Sequence, residues 1–346
     1  MALKLEIVNP LQSSKWDEAV LSFDGYSFFH CRSWARVLAD AYGYKPFYLM
    51  AYKNGHVAGA WPMFETRSLW TGKKGTILPF SDHCSPLLSD EAFFNDLFGG
   101  IIAIGQEMKW KTIEFRGGGH FFRQYPTVAN YNLHVLDLCR NEKEMTKRLR
   151  SSTRRNIKKA ARQQIDILLS TSFESVKNFY GLNCLTRKHH GLPPQPFSFF
   201  KKIHQHILNE EKGIVVTARH QKRIIAGAVF FHFGDTAMYK YGASHRDFLN
   251  LRPNNLVMWE AIKWYGYRGY NKFDLGRSEP DNHGLNQFKN GWGATVRQVA
   301  YYRYDLVRQT FVESESKIPS VIHQAFRAMP LPMLRVLGAL AYRHIG

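Results

Sequence analysis

Residues 214–244 read IVVTARHQKRIIAGAVFFHFGDTAMYKYGAS, and this stretch decides the fold. Ile214–His220 and Ile224–Phe233 are rich in β-branched and aromatic side chains and are separated by a short polar break, so they read as a hairpin. Thr236–Ser244 adds a third strand and completes a meander. Upstream, Ile165–Leu169 reads as a strand. Phe173–His190 and Phe197–Leu208 read as helices, parted by Gly191 and the prolines Pro193, Pro194 and Pro196. Downstream, Pro253 suits a first helical position and opens a helix to about Tyr265. Lys272–Arg277 follows as a strand, Leu285–Gly291 as a short helix and Thr295–Leu306 as a long strand.

The first half shows a similar alternation. Arg32–Tyr42 has helical spacing, with Trp34, Val37, Leu38 and Ala41 on one face. Pro46–Lys53 and His56–Phe64 read as strands joined by Asn54-Gly55, a two-residue hairpin signal because both positions need positive φ. Ala92–Met108 reads as a helix, and Thr112–Gly117 and Asn132–Leu138 as strands. The halves echo one another. AYKNGHVAGA (51–60) and ARHQKRIIAGA (218–228) are both hairpins ending in Ala-Gly-Ala, and Ile113–Gly117 parallels Phe273–Arg277. Between the halves, Lys147–Arg162 carries eight Lys and Arg and no acidic residue. Ser151-Ser152-Thr153 inside it offers a cap for a new helix. The expected organisation is residues 1–145, 146–306 and a C-terminal helical segment, 307–346.

A chain of 346 residues with 45% hydrophobic and 22% charged residues is globular and long enough for two domains. The net charge of +19 favours polyanions: nucleic acid, phosphorylated ligands or an anionic membrane. The four cysteines, Cys31, Cys84, Cys139 and Cys184, are widely spaced, which argues against a disulfide framework or zinc knuckle and for reduced thiols in a cytoplasm. The N-terminus lacks a signal-peptide apolar core, and no apolar run approaches the roughly 20 residues of a spanning helix.

The order strand, helix, helix, meander, helix, strand, helix, strand is that of the GNAT acetyltransferase fold. The expected class is therefore α/β (α+β), with two tandem GNAT-type domains, each a mixed sheet flanked by helices. Specific segments also resemble the FemAB family. SSTRRNIKKA (151–160) resembles its R-x-N-I-x-K-A signature, and GLNQFKNGWG (284–293) its G-L-x-x-F-K-x-x-(W/F)-G motif. TRKHHGLP (186–193), RPNN (252–255), DLGRS (274–278) and LPFSD (78–82) are similar too, in the family's order. The resemblance is nearest to FemAB-like proteins found with bacterial exopolysaccharide and exosortase systems.

The resemblance implies transfer of an acyl or aminoacyl group to an amine, expected on a cell-envelope glycan or lipid-linked precursor. The donor would be acyl-CoA or aminoacyl-tRNA, with no tightly bound cofactor, no metal and no DNA partner. It also implies C-terminal helices packing back on the first domain. The chain departs from the cell-wall enzymes in having only two ordinary helices between Leu169 and Gly213, where they often carry a long helical arm. It departs from CoA-using relatives in having no glycine in 244–252, the loop that would cradle pyrophosphate. Other readings are N-acylation of a soluble amine by acyl-CoA and, in a different class, a non-catalytic RNA- or membrane-binding module.

By resemblance, Lys289 is the leading catalytic candidate, able to stabilise an oxyanion or hold a donor phosphate; the plain alternative is a solvated lysine on a short helix. A base for amine attack is sought among Asp274, Glu279, His283, Asp82 and His83, with Asp274 and His283 set beside Lys289 in the catalytic set. Without a Ser/His/Asp order or nucleophilic Cys motif, direct transfer is expected. Arg154, Arg155 and Lys158, with Lys159, make a basic helical face for phosphate. Arg187, His189 and His190 end a helix, where cations also complement the dipole. Trp34, Asp82, Tyr239, Arg252, Asn254, Arg277 and Trp292 complete the expected substrate-binding set. His204 and His206, at i and i+2, do not share a helical face and do not suggest a metal. The tail from Ile318 has Arg327, Arg335 and Arg343 among apolar residues and no acid, split by Pro330 and Pro332 into two amphipathic helices suited to peripheral contact with an anionic membrane.

Overall fold

The computed structural model describes residues 3–68, 72–313 and 320–345, so Ile318 and Pro319 of the expected tail lie outside the described residues. The chain forms two compact units. One takes described residues 3–131, 298–313 and 341–345; the other takes 132–297 and 320–340.

The second unit is built on the meander. Its strands lie in the order Asp166–Ser170, Gly213–His220, Arg223–Phe233, Thr236–Ser244, Lys272–Ser278, and then 132–137 of the strand Ala129–Asp137. All neighbours are antiparallel except Thr236–Ser244 and Lys272–Ser278, which run parallel and are joined by the helix Pro253–Tyr267. A parallel pair needs such a crossover. The first hairpin turns on Gln221 and Lys222, both at positive φ (47° and 66°), without the Asn-Gly signal. The core gathers Phe230, Trp259, Tyr265, Phe273 and Trp292 between sheet and helices.

The parallel pair lasts only three residues: Thr236 lies opposite Lys272, Ala237 opposite Phe273 and Met238 opposite Asp274. Two irregularities then drive the strands apart. Lys240 is an extra residue between Tyr239, opposite Phe230, and Tyr241, opposite Val229. On the other strand the register jumps from Asp274 opposite Val135 to Arg277 opposite Leu133, with Gly276 at φ 72°. Bulges of this kind bend a strand and increase its twist. The second bulge is held from both sides. Asp274 Oδ1 accepts the Gly276 N–H at 2.7 Å, and Lys289 Nζ donates to the carbonyls of Gly276 and Arg277, both at 2.8 Å. Lys289 is 2% exposed and Asp274 4%.

The basic run forms the helix Ser151–Ala161, but the serines do not cap it. Arg150 is its N-cap, without a side-chain hydrogen bond, and Thr153 is buried with its hydroxyl against Gly291. A preceding helix, Glu142–Arg148, was not foreseen; Asn141 caps it by accepting the N–H groups of Lys143 and Glu144. Within this unit the C-terminal helices are tied by His323 Nδ1, 3.0 Å from the Gly191 carbonyl, and by Arg335 Nε, which donates to Cys184 Sγ at 3.4 Å.

The first unit carries two sheets. One orders Lys4–Val8, Tyr48–Lys53, His56–Trp61 and Leu87–Leu88. The other runs from residues 298–305 of the strand Thr295–Asp305 through Thr112–Arg116, Gly72–Thr76 and Phe64–Ser68 to Lys45–Pro46. Asn54 and Gly55 form the expected turn at φ 52° and 81°. The strands read as Pro46–Lys53 and His56–Phe64 each break and change sheet. Pro46 pairs with Phe64 in one sheet while Tyr48 and Trp61 belong to the other. Pro62 cannot donate to a ladder, so the break falls there. Both Ala-Gly-Ala triplets sit on the second strand of their hairpins, at 58–60 and 226–228. The Tyr44 hydroxyl donates to the Tyr342 carbonyl at 3.2 Å.

Replacing Lys289 with Met keeps the side-chain length but leaves two carbonyls at the bulge without their donor. The expected loss is about 3 kcal/mol of unfolding free energy, read by urea denaturation. A variant as stable as the parent would show that the bulge holds without the ammonium.

Candidate active site

Where the strands Thr236–Ser244 and Lys272–Ser278 part, the second unit opens a cavity of about 520 Å³. Tyr239, Gly242, Ala243 and Ser244 line it from one strand, Asn254, Val257 and Met258 from the crossover helix, and Leu285 and Phe288 from the helix His283–Asn290. Beyond Met238, the side of the strand turned toward Lys272–Ser278 has no strand partner there. Two smaller cavities, of about 410 and 240 Å³, share Thr186 and His190 with the first. His189, His245 and Arg246 line the former, Arg187, Gln195 and Lys240 the latter.

Polar contacts join the walls of this groove. Asn254 Nδ2 donates to Ser244 Oγ at 3.2 Å, and the Ser244 N–H donates to Thr186 Oγ1 at 3.2 Å. The helix Phe173–His189 is stopped by Gly191 at φ 68°, whose N–H donates to the Lys188 carbonyl at 2.9 Å. A Cβ at Gly191 would overlap the His323 carbonyl, so both backbone conformation and space demand glycine. Burial pushes the Tyr239 phenol up to about 12. Gly242 lies under that hydroxyl, and a Cβ there would overlap it. Partial burial, then neighbouring His189 and the guanidinium groups of Arg187 and Arg327, lower the His190 pKa, so its imidazole is neutral at pH 7. Arg246 Nη1 donates to His189 Nδ1 at 3.3 Å.

Of the expected residues, the groove brings together Tyr239, Asn254, Arg187, His189 and His190. Arg252, at φ 60°, stands immediately before the helix Pro253–Tyr267. Lys289 and Asp274 do not line the groove; they hold the bulge of its far strand, and Arg277 lends that bulge its carbonyl. Burial and the charge of Lys289 lower the pKa of His134, which lies on the strand beside that bulge. His283 and Glu279 are exposed at the start of the helix His283–Asn290 and on the turn before it. Arg154, Arg155 and Lys158 are exposed on their helix as the spacing predicts, but line none of these cavities.

The two tryptophans are corrections. Trp292 is wholly enclosed in the core of the second unit, edge-on to Phe288, and Trp34 is wholly enclosed in the first beside Phe28 and Phe29. Their size and apolarity place them in cores rather than on a cavity wall. Asp82 lies in the first unit, its carbonyl accepting the Tyr301 hydroxyl at 2.7 Å, and His83 is edge-on to Phe29. Thr186 and Asn286 lie in the FemAB-like segments and Ser244 opens the loop 244–252, but residue type and spacing do not mark them as site residues. Asn286, buried, accepts from Asn132 Nδ2 at 3.1 Å and donates to the carbonyls of Glu279 (2.8 Å) and Asn282 (2.9 Å), fixing the turn below the groove. Among the described residues no group of three or more His, Cys, Asp or Glu is placed to hold a metal ion, and no helix is long and apolar enough to cross a membrane.

Residues 147–290 match the acetyltransferase (GNAT) domain family. A lipid II:glycine glycyltransferase of Staphylococcus haemolyticus is 30% identical over 104 residues, 28% of this chain and 25% of that protein. The chain thus spans about a quarter of the length of the curated relatives it matches. Among solved structures, FemX superposes with a TM-score of 0.68 at 14% identity, covering 86% of this chain and 96% of FemX. A tandem GNAT protein from the clavulanic acid biosynthesis pathway gives 0.56 at 9% identity, covering 88% and 99%. The two units therefore carry tandem GNAT folds, with residues 147–290 matching the acetyltransferase (GNAT) domain family and part of the chain similar to lipid II:glycine glycyltransferases.

Proposed function

We propose that the groove of the second unit transfers an aminoacyl or acyl group to an amine on a cell-envelope precursor, of the lipid-linked kind named for the glycyltransferase relative. The parting of two parallel strands after three residue pairs carries this reading, because it exposes backbone hydrogen-bonding groups in a sheltered cleft. In the proposed reaction the acceptor nitrogen attacks the acyl carbonyl carbon. A C–N bond forms while the carbonyl oxygen takes up negative charge, which N–H groups on the open side of the strand Thr236–Ser244 stabilise. The intermediate expels the donor oxygen or sulfur. His190, neutral at pH 7, accepts the proton of the amine. The protonated Tyr239 hydroxyl supplies a hydrogen bond to the leaving group. Lys289 and Asp274 act as positioning residues through the bulge they hold.

Arg187, His189 and Arg246 on the groove walls, with Arg252 before the crossover helix, suit a phosphate-bearing donor. That chemistry is common to acyl-CoA and the end of an aminoacyl-tRNA. Thermal shifts with acetyl-CoA, longer acyl-CoAs and a charged-tRNA analogue separate them, since a ligand of the native state raises Tm. A shift with a CoA ester alone would favour CoA-dependent N-acylation, one with the tRNA analogue alone aminoacyl transfer, and none at all would sink the transferase reading.

Two kinetic outcomes are expected. His190→Gln lowers kcat about a hundredfold or more at pH 7, and in the parent enzyme activity falls only as pH drops through a pKa below 6.5. Arg327→Gln removes one of the cations that depress this pKa, so the acid limb of the pH–rate profile moves upward; an unmoved limb assigns the proton transfer elsewhere. Tyr239→Phe keeps the ring and lowers kcat about tenfold with little change in KM; an unchanged kcat would reduce Tyr239 to packing.

A further inference from the structure

Among the described residues, the C-terminal helices present apolar side chains that remain exposed. In the helix Leu331–Ile345, Leu334 is buried and Gly338 packs so closely on the Pro194 carbonyl that a Cβ would overlap it. Met333, Val336 and Leu340, at i, i+3 and i+7, share the opposite face and are 58%, 60% and 64% exposed. In the helix Ser320–Ala328, Val321 is 70% exposed and Ile322 is also open to solvent. Folding therefore does not use these side chains. Single exposed apolar residues are ordinary, but three on one face of a helix, with two more on the helix before it, are an unusual concentration.

The charges on these helices are of one sign. Residues 320–345 contain Arg327, Arg335 and Arg343 and no Asp or Glu. Arg335 is engaged inward, donating to Cys184 Sγ and lying over the Tyr180 ring with its guanidinium 5.2 Å from the centroid. Arg327 and Arg343 are exposed. An apolar face bordered by arginine matches the interface of an anionic bilayer, where the aliphatic groups enter the acyl boundary and the guanidinium groups meet lipid phosphate. A second copy of the chain would bring arginine against arginine. The helix Ser320–Ala328 also adjoins the groove: His323 contacts the Gly191 carbonyl, and Arg327 is close enough to depress the His190 pKa.

We infer that the face formed by Val321, Ile322, Met333, Val336 and Leu340 docks this protein on an anionic lipid surface, with the mouth of the groove beside the bilayer. This deepens the proposed function by giving a lipid-linked acceptor a route to His190, and rests on that reading only for its purpose, since membrane docking is measured without catalysis.

The test is co-sedimentation of the full chain with vesicles of pure phosphatidylcholine or of phosphatidylcholine with phosphatidylglycerol, at low and high salt. Binding is expected to the phosphatidylglycerol vesicles, weaker at high salt. Met333→Asp combined with Val336→Asp is expected to reduce it at least about tenfold while the circular-dichroism melt stays unchanged. Should that pair unfold the helix, Met333→Gln with Leu340→Gln gives a milder change, expected to reduce binding several-fold. Parent protein that stays in the supernatant with phosphatidylglycerol vesicles overturns the proposal. Folded variants that bind as well as the parent overturn it too, as does a concentration-dependent dimer, abolished by the variants, in a protein that ignores vesicles.

Discussion

The ammonium of Lys289, shared between the carbonyls of Gly276 and Arg277 at 2.8 Å each, keeps the strand Lys272–Ser278 in a shape that ladder hydrogen bonds alone would not hold. A bulge that curves a strand away from its neighbour leaves carbonyls without partners, and buried carbonyls in that state are costly. A buried ammonium is costly as well. Each relieves the other, and the Asp274 carboxylate takes the N–H that the same bulge releases. This small polar knot makes the early parting of the strand from Thr236–Ser244 stable.

The groove's chemistry follows from that separation. One wall is a strand whose backbone faces open space, and Gly242 keeps it thin enough for the Tyr239 hydroxyl to lie across it. The other side is the end of the helix Phe173–His189, where Gly191 stops the chain and leaves Arg187, His189 and His190 at the rim. Burial first, and then the neighbouring arginines, keep His190 neutral, and the same arginines suit phosphate. In the proposed reaction this arrangement serves both donor binding and proton transfer.

Much of this was legible in local sequence. The meander, the crossover helix opened by Pro253, the Asn54-Gly55 turn and the helix Arg32–Tyr42 all follow from patterns that act over a few residues. The first-unit strands at Pro46–Lys53 and His56–Phe64 were read as continuous because apolar β-rich runs carry no mark of a change of sheet. Ser151–Thr153 looked like a cap, yet Arg150 took that position and Thr153 turned inward against Gly291. Trp34 and Trp292 were expected at a ligand because aromatic residues suit both stacking and packing, and sequence does not separate the two.

The sequence by itself determined the element order of the second half, the two similar hairpins, the cationic character and the resemblance carried by its short motifs. These depend on periodicity, turn chemistry and residue identity, all of which are local. Only the tertiary structure decided which motif residues reach open space and which are buried. Lys289 and Asp274 went to the bulge and His190 to the groove, while the apolar faces at Met333 and Val336 were left outward. That choice is made by how strands 36 residues apart meet and part in a sheet, a non-local matter of packing and backbone hydrogen bonding that no window of neighbouring residues contains.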